Sequence, residues 1–307
     1  MTNEIKLFTP ATVANVACGF DVLGFCLDTI GDEMTVRKVD KKGIFITKSE
    51  GFNLPTETEK NVAGVSALAM YEALQPDCGF EIEIKKNIKP GSGIGSSSAS
   101  AVGSIFGMNQ LLGQPLNCEE LIAYALKGEA LASGAEHADN LAPVLYGGFT
   151  LVKSCNPVKI LELPTPEDLF AVIIHPQIEV KTSEARNILP DKVPLKDAIT
   201  QWCNIGSLVH ALHTADYDLL SNSLTDVIVE PHRKALIPYF DDLKANALQN
   251  GALGCGISGS GPSVFALTKG KATAKKVSEA FDKVYSDSGI NYHIYVSPIN
   301  TQGIKIL

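Results

Sequence analysis

The segment FEIEIKKNI (80–88) places Phe80, Ile82 and Ile84 on one face and charged residues on the other, the pattern of a half-buried strand. It runs directly into KPGSGIGSSSAS (89–100). A stretch rich in alanine and serine follows, with Val102, Ile105, Phe106 and Leu112 as its apolar side. The order strand, glycine loop, helix is the strongest constraint on the fold, because it sets a helix N-terminus at the end of a sheet strand. Such an end offers unpaired N–H groups and about half a positive charge. Gly91, Gly93 and Gly95 remove Cβ atoms, so a phosphate can come close, and Ser96, Ser97 and Ser98 add hydroxyls, one of which suits Mg²⁺. The loop is nonetheless neither a P-loop nor a dinucleotide fingerprint. Gly91 is followed five places on by Ser96 with no lysine after it, and the third glycine of G-x-G-x-x-G is replaced by that serine. Taken alone, the loop reads as a helix cap rather than a phosphate site, because so short a motif often matches by chance.

The rest of the chain alternates between strand and helix without strict βαβ spacing. Strands are predicted at 5–8, 33–39, 43–49, 146–152, 169–176 and 294–299, with a further one entered from the glycine loop of 256–268. Helices are predicted at 61–74, 96–112, 119–133, 183–189, 195–213, 216–224, 233–249 and 271–289. This pattern favours an α+β protein of two lobes, 1–152 and 153–307.

A net charge of −8 argues against nucleic-acid or acidic-membrane binding, so an anion must be held locally, by backbone N–H groups, a few cations or a metal. The seven cysteines include no C-x-x-C pair, which fits free thiols in a reducing cytoplasm. The first twenty residues lack the charge and apolar pattern of a signal peptide, and no apolar run is long enough to span a bilayer.

Three segments in order resemble the GHMP kinase superfamily: PATVANVACGFDVLGFCLD (10–28), KPGSGIGSSSAS (89–100) and GCGISGSGPSVFAL (254–267). Within it, GEALASGAEHADNLAPVLYGGFTLV (128–152), VKTSEARNILP (180–190) and VIVEPHRKALIP (227–238) are similar to the homoserine kinases. The resemblance implies a two-lobed GHMP fold, with a ribosomal protein S5-like N-terminal lobe and a ferredoxin-like C-terminal lobe. It also implies ATP- and Mg²⁺-dependent phosphorylation of the L-homoserine hydroxyl in threonine biosynthesis, and a homodimer.

By the same resemblance, ATP is held by Asn61, Val62 and the loop Lys89, Pro90, Gly91, Ser92, Gly93, Ile94, Gly95, Ser96, Ser97, Ser98, Ala99, and the metal by Ser97 and Glu129. Asn15, Asp21, His137, Arg186, Arg233 and Gly259 are implied substrate contacts, with Asp21 facing the ammonium. Only three arginines occur, and two fall in these motifs; arginine grips a carboxylate with two parallel hydrogen bonds. Asn140 is expected to orient the hydroxyl and Asp139 to serve as base, although a loose phosphoryl-transfer transition state depends more on positioning than on a base. Thr182 suits either a helix cap or a γ-phosphate contact, and Asn61 suits a helix cap as well as adenine. Other readings stay open: another GHMP kinase such as a mevalonate kinase, or a GHMP-fold sensor without catalysis. His210, His213 and Asp216 have zinc-like spacing, but a solvated helix face explains them with no third ligand on the same turn.

Overall fold

The computed structural model describes residues 3–134 and 136–307; Ala135, within the 128–152 motif, lies outside the described residues. The first half runs β1 (Glu4–Ala14), β2 (Leu23–Val39), β3 (Ile44–Glu50), α1 (Val62–Leu74), β4 (Gly79–Lys85), α2 (Ser96–Leu111), α3 (Cys118–Ser133), α4 (Leu141–Tyr146) and β5 (Phe149–Cys155). The second runs β6 (Val158–Leu163), β7 (Leu169–Pro176), α5 (Thr182–Asn187), α6 (Leu195–Thr214), α7 (Tyr217–Ser223), α8 (Glu230–Arg233), α9 (Phe240–Gln249), β8 (Ala252–Ile257), β9 (Val264–Lys269), α10 (Lys271–Tyr285), β10 (Tyr292–Pro298) and β11 (Lys305–Ile306).

The architecture is α+β, as expected. The first sheet has the order β11-β1-β2-β4-β3, with β5 paired to the start of β2 and β6 paired to β5. Its β3–β4 pair is parallel. The second sheet is β10-β7-β9-β8. Its strands, with the helices between β7 and β8 and with α10, follow the ferredoxin-like β-α-β-β-α-β order.

Helices α1, α2 and α3 cover one face of the first sheet through Val36, Phe80, Ile82, Val102, Ile105 and Ile122. Helices α9 and α10 cover the second through Val172, Leu243 and Phe281. A third cluster joins the sheets: Phe25 of β2 lies 5.0 Å from Phe149 of β5 and 5.9 Å from Phe265 of β9, between ring centroids. Each such ring, fully buried, contributes about 1.5–3 kcal/mol.

Several boundaries differ from the sequence expectation for identifiable reasons. The segment expected as one helix over 233–249 is broken at Pro238, which cannot donate a helical N–H, so α9 starts only at Phe240. The strand expected from Tyr146 begins at Phe149, because α4 occupies 141–146 and Gly147 ends it with φ 75°. Strand β1 extends far beyond 5–8, across a register shift between Pro10 and Thr12.

The alternation of β4 continues past its last strand residue. Lys86 falls in the inward phase set by Phe80, Ile82 and Ile84, and its side chain is 1% exposed. Its ammonium pairs with Asp32 of β2, whose side chain is fully buried, and donates to Ser96 O at 2.8 Å and Ser100 Oγ at 3.0 Å. The other Asp32 oxygen accepts from the N–H groups of Asn87 at 2.7 Å and Ile88 at 2.9 Å. Burial lowers the Lys86 pKa, while the Asp32 charge pulls it back up. The pair therefore ties β2, the end of β4 and the first turn of α2 together beneath the glycine loop. Removing one partner strands the other charge, which costs about 3–5 kcal/mol. Lys86→Met is thus expected to lower the unfolding free energy by that amount in urea titration; a loss under about 1 kcal/mol would show that the pair is not a support.

Candidate active site

A cavity of about 500 Å³ opens beside the N-terminus of α2. Its floor is the loop 90–95, where Gly91, Gly93 and Gly95 all have positive φ, between 71° and 80°. Glycine is required at Gly93 on a second count. A Cβ there would come within 2.7 Å of the Ser258 carbonyl and 2.6 Å of that of Gly261. The C-terminal glycine loop 258–263 therefore packs directly on the first loop. Ser258 Oγ donates to Gly93 O at 2.7 Å, and Ser263 Oγ donates to Ser92 O at 2.6 Å.

Ser96, Ser97 and Ser98 begin α2 with their N–H groups at the open end of the helix. Ser97 Oγ donates to Glu129 Oε2 at 2.9 Å, and Ser98 Oγ lies 3.4 Å from the same oxygen. Helix α3 carries Glu129 there; it starts with a capping box in which Asn117 and Glu120 exchange hydrogen bonds.

The far end of the cavity is polar and strained. Asn15, Val16 and Ala17 in succession, and then Asp21, take positive φ, from 39° to 72°. For a β-branched residue such as Val16 this conformation is costly, and such strain concentrates at functional sites. The turn is pinned by Asn15, whose amide donates to Gly259 O at 2.6 Å and whose oxygen accepts from the Asp21 N–H at 3.1 Å.

Arg186 Nη2 donates to both Asp21 oxygens, at 2.8 and 2.9 Å, and to His137 Nε2 at 2.9 Å. A guanidinium can only donate, so Nε2 is the unprotonated nitrogen of a neutral imidazole. Burial lowers the His137 pKa, opposed by Asp21 and reinforced by the two arginines, which agrees with that state. The 3.8 Å approach of His137 to Asp21 is then not an ion pair at neutral pH.

Arg233 is 3% exposed and donates to the carbonyls of Ala185 at 2.8 Å and Gly259 at 3.2 Å. Burial lowers its pKa, and Arg186 lowers it further. Both guanidinium groups lie over the Phe20 ring, Arg233 at 4.9 Å and Arg186 at 5.3 Å from its centroid, so one aromatic ring steadies two like charges.

Asp139 and Asn140 stand between these ends. Asn140 Oδ1 accepts from Thr12 Oγ1 at 2.8 Å. Asp139 is 4% exposed, and a Cβ on Gly24 would come within 1.9 Å of its carbonyl, so only glycine lets β2 pass. Burial pushes the Asp139 carboxyl up to about 7, helped by the charges of Asp21 and Glu129 and opposed by backbone N–H groups.

The models of the GHMP kinases N terminal domain and GHMP kinases C terminal match residues 61–148 and 208–287. A homoserine kinase from Chlorobium phaeobacteroides (strain BS1) is 42% identical over 315 residues, spanning 98% of each chain. The crystal structure of homoserine kinase from Cytophaga hutchinsonii is 50% identical, with a TM-score of 0.96, covering 100% of this chain and 98% of that one. The chain belongs to the homoserine kinase family of the GHMP kinases. The mevalonate kinase of L. major, 15% identical with a TM-score of 0.69 over 97% of each chain, shares the fold alone.

In this homoserine kinase family member the expected substrate residues Asn15, Asp21, His137, Arg186, Arg233 and Gly259 all line the one cavity, as do Asp139, Asn140 and Thr182. So do Asn61, Val62, Ser97 and Glu129. Of the expected loop residues, Pro90, Gly91, Ser92, Gly93, Gly95 and Ser96 line it too. Ile94 and Ala99 instead bury their side chains in the core that joins the sheets, and Ser98 is 1% exposed. Lys89 turns to Gln177, donating to Oε1 at 3.1 Å.

Asn61 caps α1, accepting from Ala63 N at 3.0 Å. Thr182 does not cap α5. It is the first helical residue, its cap position is Lys181, and its hydroxyl lies 3.4 Å from Ser260 Oγ. The exposed His210 and His213 gain no third ligand from Asp216, whose side chain caps α7; among the described residues no three His, Cys, Asp or Glu side chains gather to hold a metal.

Sequence reasoning missed Lys86, Phe20 and Thr12. Lys86 carried a signal, since its phase in the β4 alternation points inward. Phe20 sits beside Asp21 in the first motif, and that adjacency was the available cue.

Asp139 yields a test. The folded carboxyl keeps its proton to about pH 7, whereas the unfolded one loses it near 3.8. The folded state thus binds more protons across this window, and ligand-free stability falls as pH rises through it. Asp139→Asn is expected to match the wild-type Tm near the lower limit, to exceed it increasingly as pH approaches 7, and to keep a constant advantage above that. A Tm difference that does not change with pH would contradict a protonated Asp139.

Proposed function

We propose that this chain transfers the γ-phosphoryl group of ATP to the side-chain hydroxyl of L-homoserine, giving O-phospho-L-homoserine and ADP, a step of threonine biosynthesis. The observation that carries the reading is a single cavity with an anion-seeking helix N-terminus at one end and the Asp21, Arg186 and Arg233 cluster at the other. The cluster offers a carboxylate for an ammonium and guanidinium groups for a carboxylate, as an α-amino acid requires and an isoprenoid alcohol does not. The family membership and the homoserine kinase relatives support the same substrate.

The N–H groups of Ser96 to Ser98 and the loop backbone hold the phosphates from one side. Asp21 receives the ammonium, Arg186 and Arg233 the carboxylate, and Gly259 closes the wall beside them. Asn140 holds the acceptor hydroxyl in line, and Asp139, with a pKa of about 7, is suited to take its proton. Thr182 reaches the γ-phosphate from the opposite lobe. Asn61 and Val62 border the adenine.

Ser97 and Glu129 fit Mg²⁺. A hydroxyl and a carboxylate already share one point, at 2.9 Å, and hard oxygen donors in small number are what this ion takes from protein. When bound, Mg²⁺ neutralises charge on the phosphate oxygens. The same reading divides the chain into lobes 1–152 and 153–307, with β6 and β11 reaching back to the first sheet. It also takes the protein as a cytoplasmic homodimer. Among the described residues no helix is long and apolar enough to cross a membrane.

A coupled assay of ADP release with homoserine, mevalonate and galactose tests the reaction. Turnover is expected with homoserine; its absence, or faster turnover with mevalonate, would overturn the reading. Glu129→Ala is expected to lower kcat by at least about 100-fold with an unchanged circular dichroism spectrum, and full activity would exclude Glu129 from the metal site.

A further inference from the structure

We propose that Thr12 is a positioning residue that locks the Asn140 side-chain amide and ties it to the phosphate loop, so that the phosphoryl donor and the acceptor hydroxyl are held in fixed register. The inference rests on the kinase reading above and adds a residue that does not itself line the cavity.

Thr12 lies in β1 just past its register shift and is fully buried. It makes two bonds in different directions. Its N–H donates to Ile94 O, inside the phosphate loop, at 3.2 Å. Its hydroxyl donates to Asn140 Oδ1 at 2.8 Å. A hydroxyl has one proton to give, and here it goes to the amide oxygen. The Asn140 Nδ2 group is then the end left to face the cavity, where it donates to a lone pair of the acceptor hydroxyl. The hydroxyl proton is thereby turned away from Asn140.

A further observation supports a dedicated arrangement. The Asn140 side chain makes no capping hydrogen bond to α4, because Pro143 has no N–H and the Ala142 N–H already donates to the Ala138 carbonyl at 2.8 Å, so the amide oxygen is left for Thr12. Gly95, the last loop residue before α2, closes the stack. A Cβ at Gly95 would come within 2.2 Å of Thr12 Oγ1 and 3.1 Å of Asn140 Oδ1, so loop, hydroxyl and amide are in mutual contact. A displacement of about 1 Å between reacting groups can cost about 100-fold in rate.

Thr12→Val keeps the shape and the N–H bond to Ile94 while removing the donor. It is expected to lower kcat by about 10- to 100-fold, with KM for ATP and for homoserine changed by less than about threefold. Thr12→Ser restores the hydroxyl and is expected to recover kcat to within about threefold of wild type. In a double-mutant cycle, Thr12→Val added to Asn140→Ala is expected to cause no further loss, because the hydroxyl acts only through the amide. Wild-type kcat in Thr12→Val, or additive losses in the cycle, would overturn the proposal. The crystal structure of Thr12→Val reads the positioning role without turnover: the Asn140 amide is expected to rotate while the 90–95 backbone stays in place, and an unmoved amide refutes it. Homoserine-dependent ADP release by the wild type reports separately on the reaction itself.

Discussion

Ser258 and Ser263 donate to the carbonyls of Gly93 and Ser92, at 2.7 and 2.6 Å, and so join segments some 165 residues apart in sequence. These bonds need two backbones in contact, and that contact is available only because Gly93 lacks a Cβ. The glycine loop 90–95 is therefore not a flexible flap on the first sheet. It is clamped between the C-terminal glycine loop above and the Asp32–Lys86 pair below. A helix N-terminus binds an anion well only when its N–H groups are already aimed, because ordering a loop on binding subtracts from affinity. The buried pair and the loop contact supply that order before any ligand arrives.

The clamp also explains how an acidic chain can serve a triphosphate. The lysine of a P-loop is missing from the loop itself, but Lys86 is held beneath it with three acceptors for its three protons. The positive field at the loop thus comes from the helix terminus, because the Lys86 charge is balanced by Asp32. At the other end of the cavity the same economy recurs. Asp21 and Arg186 satisfy each other at 2.8 Å, so neither waits as an isolated charge. On the proposed reading a zwitterion replaces one internal pair by two external ones, which a substrate of single charge cannot do without leaving a partner stranded.

The strand–loop–helix order, the apolar strand Leu169–Pro176 and the capped helix from Val62 were legible because each has a local cause: alternation, a β-branched run, an asparagine cap. The residues gathered in the cavity were legible only through resemblance, since Asp21, His137, Arg186 and Arg233 come from four segments and nothing in their spacing brings them together. Other features had no local signal. The edge strand β6 carries Lys159 and Glu162 in a short run that reads as surface, and β11 is two residues long. Thr12 had no local signal either, because the extension of β1 depends on pairing with β2 rather than on its own pattern.

The costly features of the chain are concentrated where those distant segments meet. Left-handed Val16, a buried carboxyl at Asp139 and a buried guanidinium at Arg233 would each destabilise an ordinary core. They are held by groups that are themselves rigid: Phe20 across two arginines, the Gly259 carbonyl shared by Asn15 and Arg233, and Gly24 against the Asp139 backbone. Asp139 shows why such a site stays strained. Neutralising it would relieve the burial of charge but would remove a carboxyl whose ionisation falls near neutrality. On the proposed reading, the stability given up at this point is the physical counterpart of a group suited to exchange a proton at the acceptor hydroxyl.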